Sequence, residues 1–238
     1  MRTVLINGGS RGIGAAMVRR FAEAGDRVAF TYKNAHSEAD RLAKETGALA
    51  VCADTAVAAE VTAAVERVRE ELGPPSVLIN NAAVSSFSLF TDLTEEEWSR
   101  IFAVNVHGAF YYCRAVLPSM IAKKEGRIIN VSSMWGRVGA SCEVHYSATK
   151  AAINGMTLAL AREVGPSGIT VNAIAPGVID TEMNAALSEE DKRALADATP
   201  LSRLGTAREV AEAAYFLAGE TAGFITGQIL GVDGGFIL

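Results

Sequence analysis

The feature that most constrains the fold is the alternation of short apolar runs with longer stretches of helical periodicity. Most of the short runs are continuous in valine, isoleucine, leucine and alanine, which is typical of strands covered on both faces. Strands are predicted at residues 3–7, 27–32, 48–52, 77–80, 127–132, 170–174 and 228–232. Because strands that alternate with helices form βαβ units, the sequence predicts a doubly wound α/β fold. Its seven-stranded parallel sheet would carry helices on both faces.

Helical patterns fill the intervals between these runs. Apolar residues recur at every fourth position from Ile13 to Phe21. Further helices are predicted at residues 57–72, 94–122, 148–164 and 208–218. Thr94 followed by Glu97 has the form of a capping box, and Ser188 followed by Asp191 resembles one. These pairs indicate where two of the helices begin.

The chain of 238 residues is long enough for one large α/β domain. No internal repeat and no linker rich in proline or serine divides it, so residues 1–238 are expected to form a single domain. The interval 177–207 has no predicted strand. In a doubly wound sheet this interval would lie over the carboxyl ends of the strands, where ligands bind, so residues 178–207 are expected to form a substrate lid.

Charge and cysteine content exclude several classes of function. The 22 Lys and Arg against 27 Asp and Glu give a net charge of −5, which disfavours a general nucleic-acid binder. The three cysteines cannot form a disulfide framework, and neither they nor the three histidines have metal-site spacing, so no metal is predicted. A strand-like run starts at Thr3, so no signal peptide is expected, and no run suits a membrane helix. The expected location is cytoplasmic.

A glycine-rich turn follows the first predicted strand and opens a helix. Glycine is needed where a turn tightens and where backbone must approach a pyrophosphate, and a helix N-terminus attracts phosphate. The alternative is an ordinary strand-to-helix turn, but the position at the start of an alternating chain is the one that the motif requires. The residues of this turn predicted to bind a dinucleotide are Gly8, Ser10, Arg11, Gly12, Ile13 and Gly14.

The end of the second strand indicates which dinucleotide is bound. Enzymes that use NAD usually carry an acidic residue there to bind the ribose hydroxyls. Residues 30–34 contain no acid, while Arg11 and Lys33 could both meet a 2′-phosphate. Two solvated surface cations are the alternative interpretation. The sequence favours NADP(H).

Tyr146 and Lys150 lie four residues apart at the start of a predicted helix, on one face of it. An ammonium beside a phenol favours the phenolate and lowers its pKa. Such a tyrosine can exchange a proton with a carbinol oxygen near neutral pH. A pair of this kind alone is more often an ordinary surface pair, so its interpretation depends on the motifs around it.

Those motifs occur in a specific order along the chain. Ser133 follows the fifth predicted strand, thirteen residues before Tyr146, and the stretch 80–83 (NNAA) ends the fourth. Asn105 lies in a helix that should run beside the site. Together with the glycine turn, this set resembles the short-chain dehydrogenase/reductase family over essentially the whole chain.

The resemblance implies a Rossmann fold and a role for each catalytic residue. Tyr146 would be the general acid/base, and Ser133 would hydrogen-bond the substrate carbonyl oxygen. Lys150 would bind the nicotinamide ribose and lower the pKa of Tyr146. Asn105 would hold a water that links Lys150 to solvent. Hydride would pass from the cofactor to the carbonyl carbon.

The resemblance also implies further cofactor contacts. Asn81, Ala82 and Ala83 would line the cofactor near its ribose, and Asp54 would hydrogen-bond the adenine. The segment expected to cover the nicotinamide contains Pro176, Gly177, Ile179 and Thr181. Asn7 stands where the family usually has threonine, and Ala83 where it usually has glycine, so tuned geometry with retained cofactor binding is expected.

Within the family, the chain looks most like the 3-oxoacyl-[acyl-carrier-protein] reductases. That resemblance implies NADPH-dependent reduction of a 3-oxoacyl thioester to the 3-hydroxyacyl product. An acidic acyl carrier protein would dock on basic residues near the site, here Lys123, Lys124 and Arg127. Ser167 departs from the pattern, since those reductases often carry a second cation there.

A second resemblance involves residues 132–136 (SSMWG) and 139–144 (GASCEV). These stretches are similar to the elongation factor P 5-aminopentanone reductases, which reduce a ketone on a modified protein side chain. Glu143 would then pair with a cationic substrate amine, the alternative being a solvated loop carboxylate. We favour the 3-oxoacyl interpretation because that family is the broader one.

A non-catalytic protein that senses NADP(H) or acts as a scaffold is the alternative from another class, because fold alone does not fix function. The intact set of Ser133, Tyr146, Lys150 and Asn105 argues against it. The family resemblance also implies a homotetramer. Its interfaces would be the helices 94–122 and 148–164 and the C-terminal strand region.

Overall fold

The computed structural model describes residues 1–184 and 187–237. Ala185 and Ala186 of the predicted lid, and Leu238 at the end of the predicted domain, lie outside the described residues. The strands are β1 (Thr3–Asn7), β2 (Arg27–Tyr32), β3 (Leu49–Cys52), β4 (Val77–Asn80), β5 (Gly126–Val131), β6 (Ile169–Pro176), β7 (Ile179–Asp180), β8 (Gly205–Thr206) and β9 (Ile229–Val232). The helices are α1 (Gly12–Glu23), α2 (His36–Thr46), α3 (Ala58–Leu72), α4 (Glu95–Phe102), α5 (Gly108–Lys123), α6 (Trp135–Val138), α7 (Val144–Val164), α8 (Glu189–Asp197) and α9 (Ala207–Leu217).

The main sheet has seven parallel strands in the order β3-β2-β1-β4-β5-β6-β9. The order runs outward in both directions from β1 and β4, so the sheet is doubly wound and its strand order reverses between these two strands. This single-domain α/β architecture confirms the predicted fold class.

Each face of the sheet is covered by helices, because alternate residues of a strand point to opposite faces. Val4 and Ile6 of β1 pack in one core with residues of α1, α2 and α9. Leu5 packs in the other core with residues of α3, α5 and α7. Burial on both faces explains why the strand sequences are continuous apolar runs.

Two predicted elements differ from the structure. The helix predicted at 94–122 is divided into α4 and α5 by a π-helical turn, Ala103–His107. Apolar periodicity does not detect the turn because the chain stays helical through it. The interval 177–207, predicted to lack strands, contains β7 and β8, which pair with each other and are too short to show alternation.

One predicted capping box is confirmed completely and the other in part. Ser188 and Asp191 form a complete capping box at the start of α8. Thr94 accepts a hydrogen bond from the backbone N–H of Glu97 at the start of α4. The Glu97 carboxylate does not complete that box, because it binds Arg100 and Ser86 instead.

Candidate active site

The carboxyl ends of the central strands open into a cleft of about 700 Å³, at the point where the strand order reverses. This is where ligands bind in doubly wound sheets. The predicted site residues that line the cleft are Gly8, Ser10, Arg11, Gly12, Ile13, Gly14, Lys33, Asp54, Asn81, Ala82, Ala83, Ser133, Tyr146, Lys150, Pro176, Gly177, Ile179 and Thr181. Asn105 lies outside this lining, behind Val84.

The turn between β1 and α1 brings backbone close to backbone at two glycines. Gly8 has a φ of +66°, and a Cβ there would lie 2.7 Å from the Cα of Ala82. A Cβ on Gly14 would lie 2.1 Å from the carbonyl oxygen of Gly8. Arg11 occupies the N-cap of α1 without a side-chain cap hydrogen bond, so the N–H groups of the first turn can bind an anion. The turn therefore fits a pyrophosphate.

The far end of the cleft carries the two predicted cations, Lys33 and Arg11. Lys33 follows β2, and its Nζ lies 2.6 Å from Oδ2 of Asp54, a pairing that the sequence did not predict. Burial raises the pKa of Asp54, but the Lys33 hydrogen bond, the Ala56 N–H and the Lys33 charge together hold that pKa below its usual value. Arg11 lines the same cleft, and no carboxylate ends β2. This charge pattern fits a 2′-phosphate.

Asn7, the departure from the usual threonine, joins the glycine turn to the neighbouring strand. Its Oδ1 accepts hydrogen bonds from the backbone N–H groups of Asn81 at 2.7 Å and Ala82 at 2.6 Å. Its Nδ2 donates to Oδ1 of Asn80 at 3.0 Å. One side chain therefore holds the strand ends that form the inner wall of the cleft.

The same hydrogen bonding continues across the sheet. Asn80 donates to Oδ1 of Asn130 at 2.8 Å, and Asn130 donates to Oγ1 of Thr157 on α7 at 2.9 Å. Asn7, Asn80, Asn130 and Thr157, all buried, form what we call the amide chain. It links β1, β4 and β5 to the helix that carries Tyr146.

We expect Asn7→Leu to lower the free energy of unfolding by roughly 3 kcal/mol. Two backbone N–H groups and the side-chain amide oxygen of Asn80 would lose their hydrogen-bond partner. Chemical denaturation measures the change. Asn7→Thr restores a hydroxyl acceptor and should recover part of the loss. Unchanged stability of Asn7→Leu would contradict this role.

Tyr146 and Lys150 lie one turn apart in α7, and both are buried. Burial raises the pKa of Tyr146 to about 12; nearby Glu143 acts in the same direction, and the Ser133 hydroxyl in the opposite one. Lys150 Nζ donates to the carbonyl oxygen of Val131 at 2.8 Å and lies 5.5 Å from the centre of the Tyr146 ring. Burial lowers the pKa of Lys150 itself to about 8, and its predicted role of lowering the pKa of Tyr146 stays a prediction.

Asn105 lies in the π-helical turn between α4 and α5. Its Oδ1 accepts from the backbone N–H of Val84 at 2.8 Å, and its Nδ2 donates to the Val84 carbonyl at 2.9 Å and to Thr149 Oγ1 at 3.1 Å. The side chain thus fixes the segment after β4 against α7. Its predicted role of holding a water stays a prediction.

The segment after β4 reaches the wall of the cleft with its first two residues, and we call residues 84–88, which we expect to lie beside the substrate, the substrate loop. Val84 and Ser85 line the cleft together with Arg100, and sequence reasoning identified none of the three. Ser85 donates to Oε1 of Glu143 at 2.6 Å. The Glu143 carboxylate is thus placed beside Tyr146 at this wall.

The segment predicted as a lid begins at the opposite wall. Thr181 and Glu182 line the cleft, and a Cβ on Gly12 would lie 3.5 Å from a carboxylate oxygen of Glu182. The first residues of this segment therefore reach the glycine turn. That residues 178–207 cover the substrate stays a prediction.

The cations predicted to dock a carrier protein do not lie near the cleft of their own chain. Lys123 ends α5, and Arg127 is the second residue of β5, at its amino end. Ser133 follows the opposite end of β5, six residues beyond Arg127, which is roughly 20 Å along a strand. The expectation of basic residues near the site is therefore wrong within one chain.

Over residues 1–184 and 187–237, no cluster of three or more His, Cys, Asp and Glu side chains could hold a metal ion. In the same ranges, no helix combines the length and apolar character that a membrane span requires.

Comparison with known proteins identifies the family. The family described as enoyl-(acyl carrier protein) reductase matches residues 8–237. A short-chain dehydrogenase/reductase from Serratia marcescens has a similar structure, with a TM-score of 0.91 and 36% identity over 99% of this chain and 97% of that one. The chain belongs to the short-chain dehydrogenase/reductase family. It is accordingly an oxidoreductase.

Two further proteins that the chain resembles carry more specific names. A 3-oxoacyl-[acyl-carrier-protein] reductase from Chlamydia muridarum is 40% identical over 98% of this chain and 96% of its own length. A blue fluorescent protein from a metagenomic library, solved in complex with NADPH, is 39% identical, with a TM-score of 0.93 over 100% of this chain and 98% of that one.

Proposed function

We propose that the substrate of this NADPH-dependent ketoreductase is a 3-oxoacyl thioester, which it reduces to the 3-hydroxyacyl product. The observation that carries the proposal is the placement of Ser133, Tyr146 and Lys150 in the same cleft as the glycine turn. A relative that is 40% identical over almost the whole chain is named a 3-oxoacyl-[acyl-carrier-protein] reductase, which supports this substrate class.

The residues present fit NADP(H). The glycine turn and the N-terminus of α1 would hold the pyrophosphate, and Arg11 and Lys33 the 2′-phosphate. Asn81 and Ala82 would line the cofactor near its ribose. When bound, the nicotinamide supplies a hydride to the carbonyl carbon.

The protein would supply the proton. Because its pKa is about 12, Tyr146 carries its phenolic proton at neutral pH and can donate it to the carbonyl oxygen as negative charge develops there. Ser133 would donate a hydrogen bond to the same oxygen and hold the carbonyl in place. Lys150, charged below about pH 8, would stabilise the negative charge that develops.

Purified protein tests the proposal directly. Consumption of NADPH with acetoacetyl-CoA and with a carrier-linked 3-oxoacyl substrate should be rapid, and consumption of NADH under the same conditions much slower. Isolation of the 3-hydroxyacyl product confirms the reaction. Tight NADPH binding without turnover of either thioester would refute the substrate assignment.

The pH profile is expected to follow Lys150. Burial lowers its pKa to about 8, so the ammonium is charged below that pH and neutral above it. We expect kcat/KM for NADPH to be constant up to roughly pH 7.5 and to fall about tenfold per unit above pH 8. Arginine does not deprotonate in this range, so any activity that Lys150→Arg retains should lack the fall. A wild-type profile that stays flat beyond pH 9 would count against the assignment.

Lys33 is expected to set the cofactor preference. Lys33→Glu replaces an attraction for the 2′-phosphate by a repulsion, so the Kd of NADPH should rise roughly tenfold to a hundredfold and that of NADH should change little. Calorimetric titration with both cofactors measures the two constants. Lys44→Glu makes the same charge change on the exposed surface of α2 and should leave both unchanged. Equal effects of the two substitutions would contradict the role of Lys33.

Glu143 favours a second candidate substrate, the modified side chain of elongation factor P. Its carboxylate is half-buried, accepts a hydrogen bond from Ser85 at the cleft wall and contributes to the raised pKa of Tyr146. A carboxylate in that place suits a ketone that carries an amine, whereas an acyl chain has no use for it.

The two candidates differ in the expected effect of Glu143→Gln. For an amine-bearing ketone, loss of the charge should raise KM at least tenfold. For a 3-oxoacyl thioester, KM should stay the same or fall. Ser85 still donates to the glutamine amide oxygen, so the variant keeps the local hydrogen bond.

The homotetramer is also part of the proposal. Large apolar side chains are exposed on α5 (Phe110), on α7 (Leu158) and near β9 (Phe224), as the predicted interfaces require. Light scattering should give four times the chain mass of 25.0 kDa. An acyl carrier protein as partner and a cytoplasmic location also stay predictions.

A further inference from the structure

A buried histidine next to Tyr146 is joined to the substrate loop through one serine. His145 is 1% exposed, and its Nε2 lies 2.8 Å from Oγ of Ser86. The same hydroxyl contacts Oε1 of Glu97 at the start of α4. Ser86 therefore connects the loop, the helix of the proposed catalytic tyrosine and α4 at a single atom.

The chemistry of the partners fixes the direction of these hydrogen bonds. Arg100 binds Glu97 through Nε at 2.9 Å and through its terminal nitrogen at 2.8 Å. The hydrogen bonds from Arg100 and Ser86 lower the pKa of Glu97 to about 2, so its carboxylate only accepts. Ser86 must give its one proton to Glu97, and it therefore accepts from the Nε2–H of His145. We call Ser86, His145, Glu97 and Arg100 the serine bridge.

Apolar packing holds the substrate loop only weakly. Phe87 is 79% exposed, and Phe90 just beyond the loop is 63% exposed. The position of the loop therefore depends on its hydrogen bonds. Val84 is bound by Asn105 and Ser85 by Glu143, while the Ser88 N–H donates to the Cys142 carbonyl at 2.9 Å.

The serine bridge differs from these other bonds in two respects. Its acceptor Glu97 is itself held by Arg100, whereas the Glu143 carboxylate that accepts from Ser85 has no such ion pair among the described residues. Its arginine, Arg100, lines the cleft, and its histidine directly precedes Tyr146 in the chain. A displacement of Ser86 would thus alter the width of the cleft between the loop and the phenol.

We propose that Ser86 is a positioning residue that sets the affinity of the enzyme for its carbonyl substrate. Through His145 and Glu97 it fixes the distance between the substrate loop and Tyr146, and it touches neither the cofactor nor the reacting atoms. This inference rests on the proposed function, because it takes the carbonyl substrate to lie between the loop and Tyr146.

Steady-state kinetics test the proposal, because KM and kcat are expected to respond differently to substitution of Ser86. Ser86→Ala should raise KM for the 3-oxoacyl thioester roughly tenfold, because the loop loses both hydrogen bonds, and should change kcat less than about threefold. The Kd of NADPH should stay the same. Ser86→Thr keeps the hydroxyl and should restore KM. Thr91→Ala removes an exposed hydroxyl outside the loop and should leave all three constants at their wild-type values.

Hydrogen exchange provides a readout that does not require turnover. In Ser86→Ala and in His145→Leu, the amides of residues 84–88 should exchange at least tenfold faster than in the wild type, and those of the glycine turn at the wild-type rate. Should the wild type reduce no thioester, the proposed function fails while the exchange experiment still tests the bridge. Wild-type exchange and wild-type KM in Ser86→Ala, or an equal fall of kcat and kcat/KM with KM unchanged, would overturn the proposal.

Discussion

Tyr146→Phe is expected to lower kcat for ketone reduction roughly a thousandfold. The substitution removes the phenolic proton that the buried side chain carries at neutral pH, and a positioned general acid typically contributes a factor of 10² to 10⁴. The ring remains, so the burial and packing of α7 are preserved. Stopped-flow or steady-state consumption of NADPH measures the loss.

Two controls separate lost chemistry from lost binding. NADPH should bind Tyr146→Phe with a Kd within about threefold of the wild type, because the ring is retained. Tyr111→Phe removes a phenol from α5, outside the cleft, and should keep full activity. Activity of Tyr146→Phe within tenfold of the wild type would show that another group donates the proton.

Gly14→Ala is expected to weaken NADPH binding by roughly a hundredfold. Its Cβ would lie 2.1 Å from the carbonyl oxygen of Gly8, a distance that no real contact allows, so the glycine turn must move. Overpacking of this kind costs about 1–3 kcal/mol or more. If the turn bears that cost, the Kd of NADPH should rise by roughly a hundredfold. Fluorescence titration measures the rise in the Kd of NADPH. Thermal unfolding measures how much of the overpacking cost lowers the stability of the protein instead.

Gly155→Ala is the matched control for this substitution. Gly155 lies inside α7, and a Cβ there would have no heavy atom within 4 Å. Alanine should raise stability by about 0.5–1 kcal/mol, as expected for glycine replacement inside a helix, with no effect on NADPH binding. If both glycine variants bound NADPH equally well, the close approach in the turn would be irrelevant to the cofactor.

The sequence predicted the sheet because its strands are buried on both faces and therefore read as uninterrupted apolar runs. The glycine turn, Lys33 and the Tyr146–Lys150 pair were predicted from the residues themselves, and the other predicted residues of the cleft were implied by the family resemblance. The π-helical turn at Ala103–His107 was missed, because the chain stays helical through it and five residues are too few to show a periodicity of their own.

The substrate side of the cleft could not be predicted in the same way. Residues 84–88 have no periodicity, and their position results from contacts with distant residues such as Asn105 and Glu143. The hydrogen-bond partner of Lys150 could not be predicted for a similar reason. Spacing placed Lys150 on the same helix face as Tyr146, but only the folded chain brings the Val131 carbonyl within 2.8 Å of its ammonium.

The amide chain has a consequence for how the strands find their partners during folding. A parallel strand displaced by one residue turns every side chain to the opposite face. If β4 paired with β1 one residue out of register, Asn80 would lose both Asn7 and Asn130, and several buried polar groups would be left without partners. An apolar run such as residues 77–79 stays buried when the register shifts, because both faces of the sheet are covered, so its burial alone does not select one register. The hydrogen bonds of the amide chain therefore favour the native register of the strands over shifted registers that bury a similar apolar area.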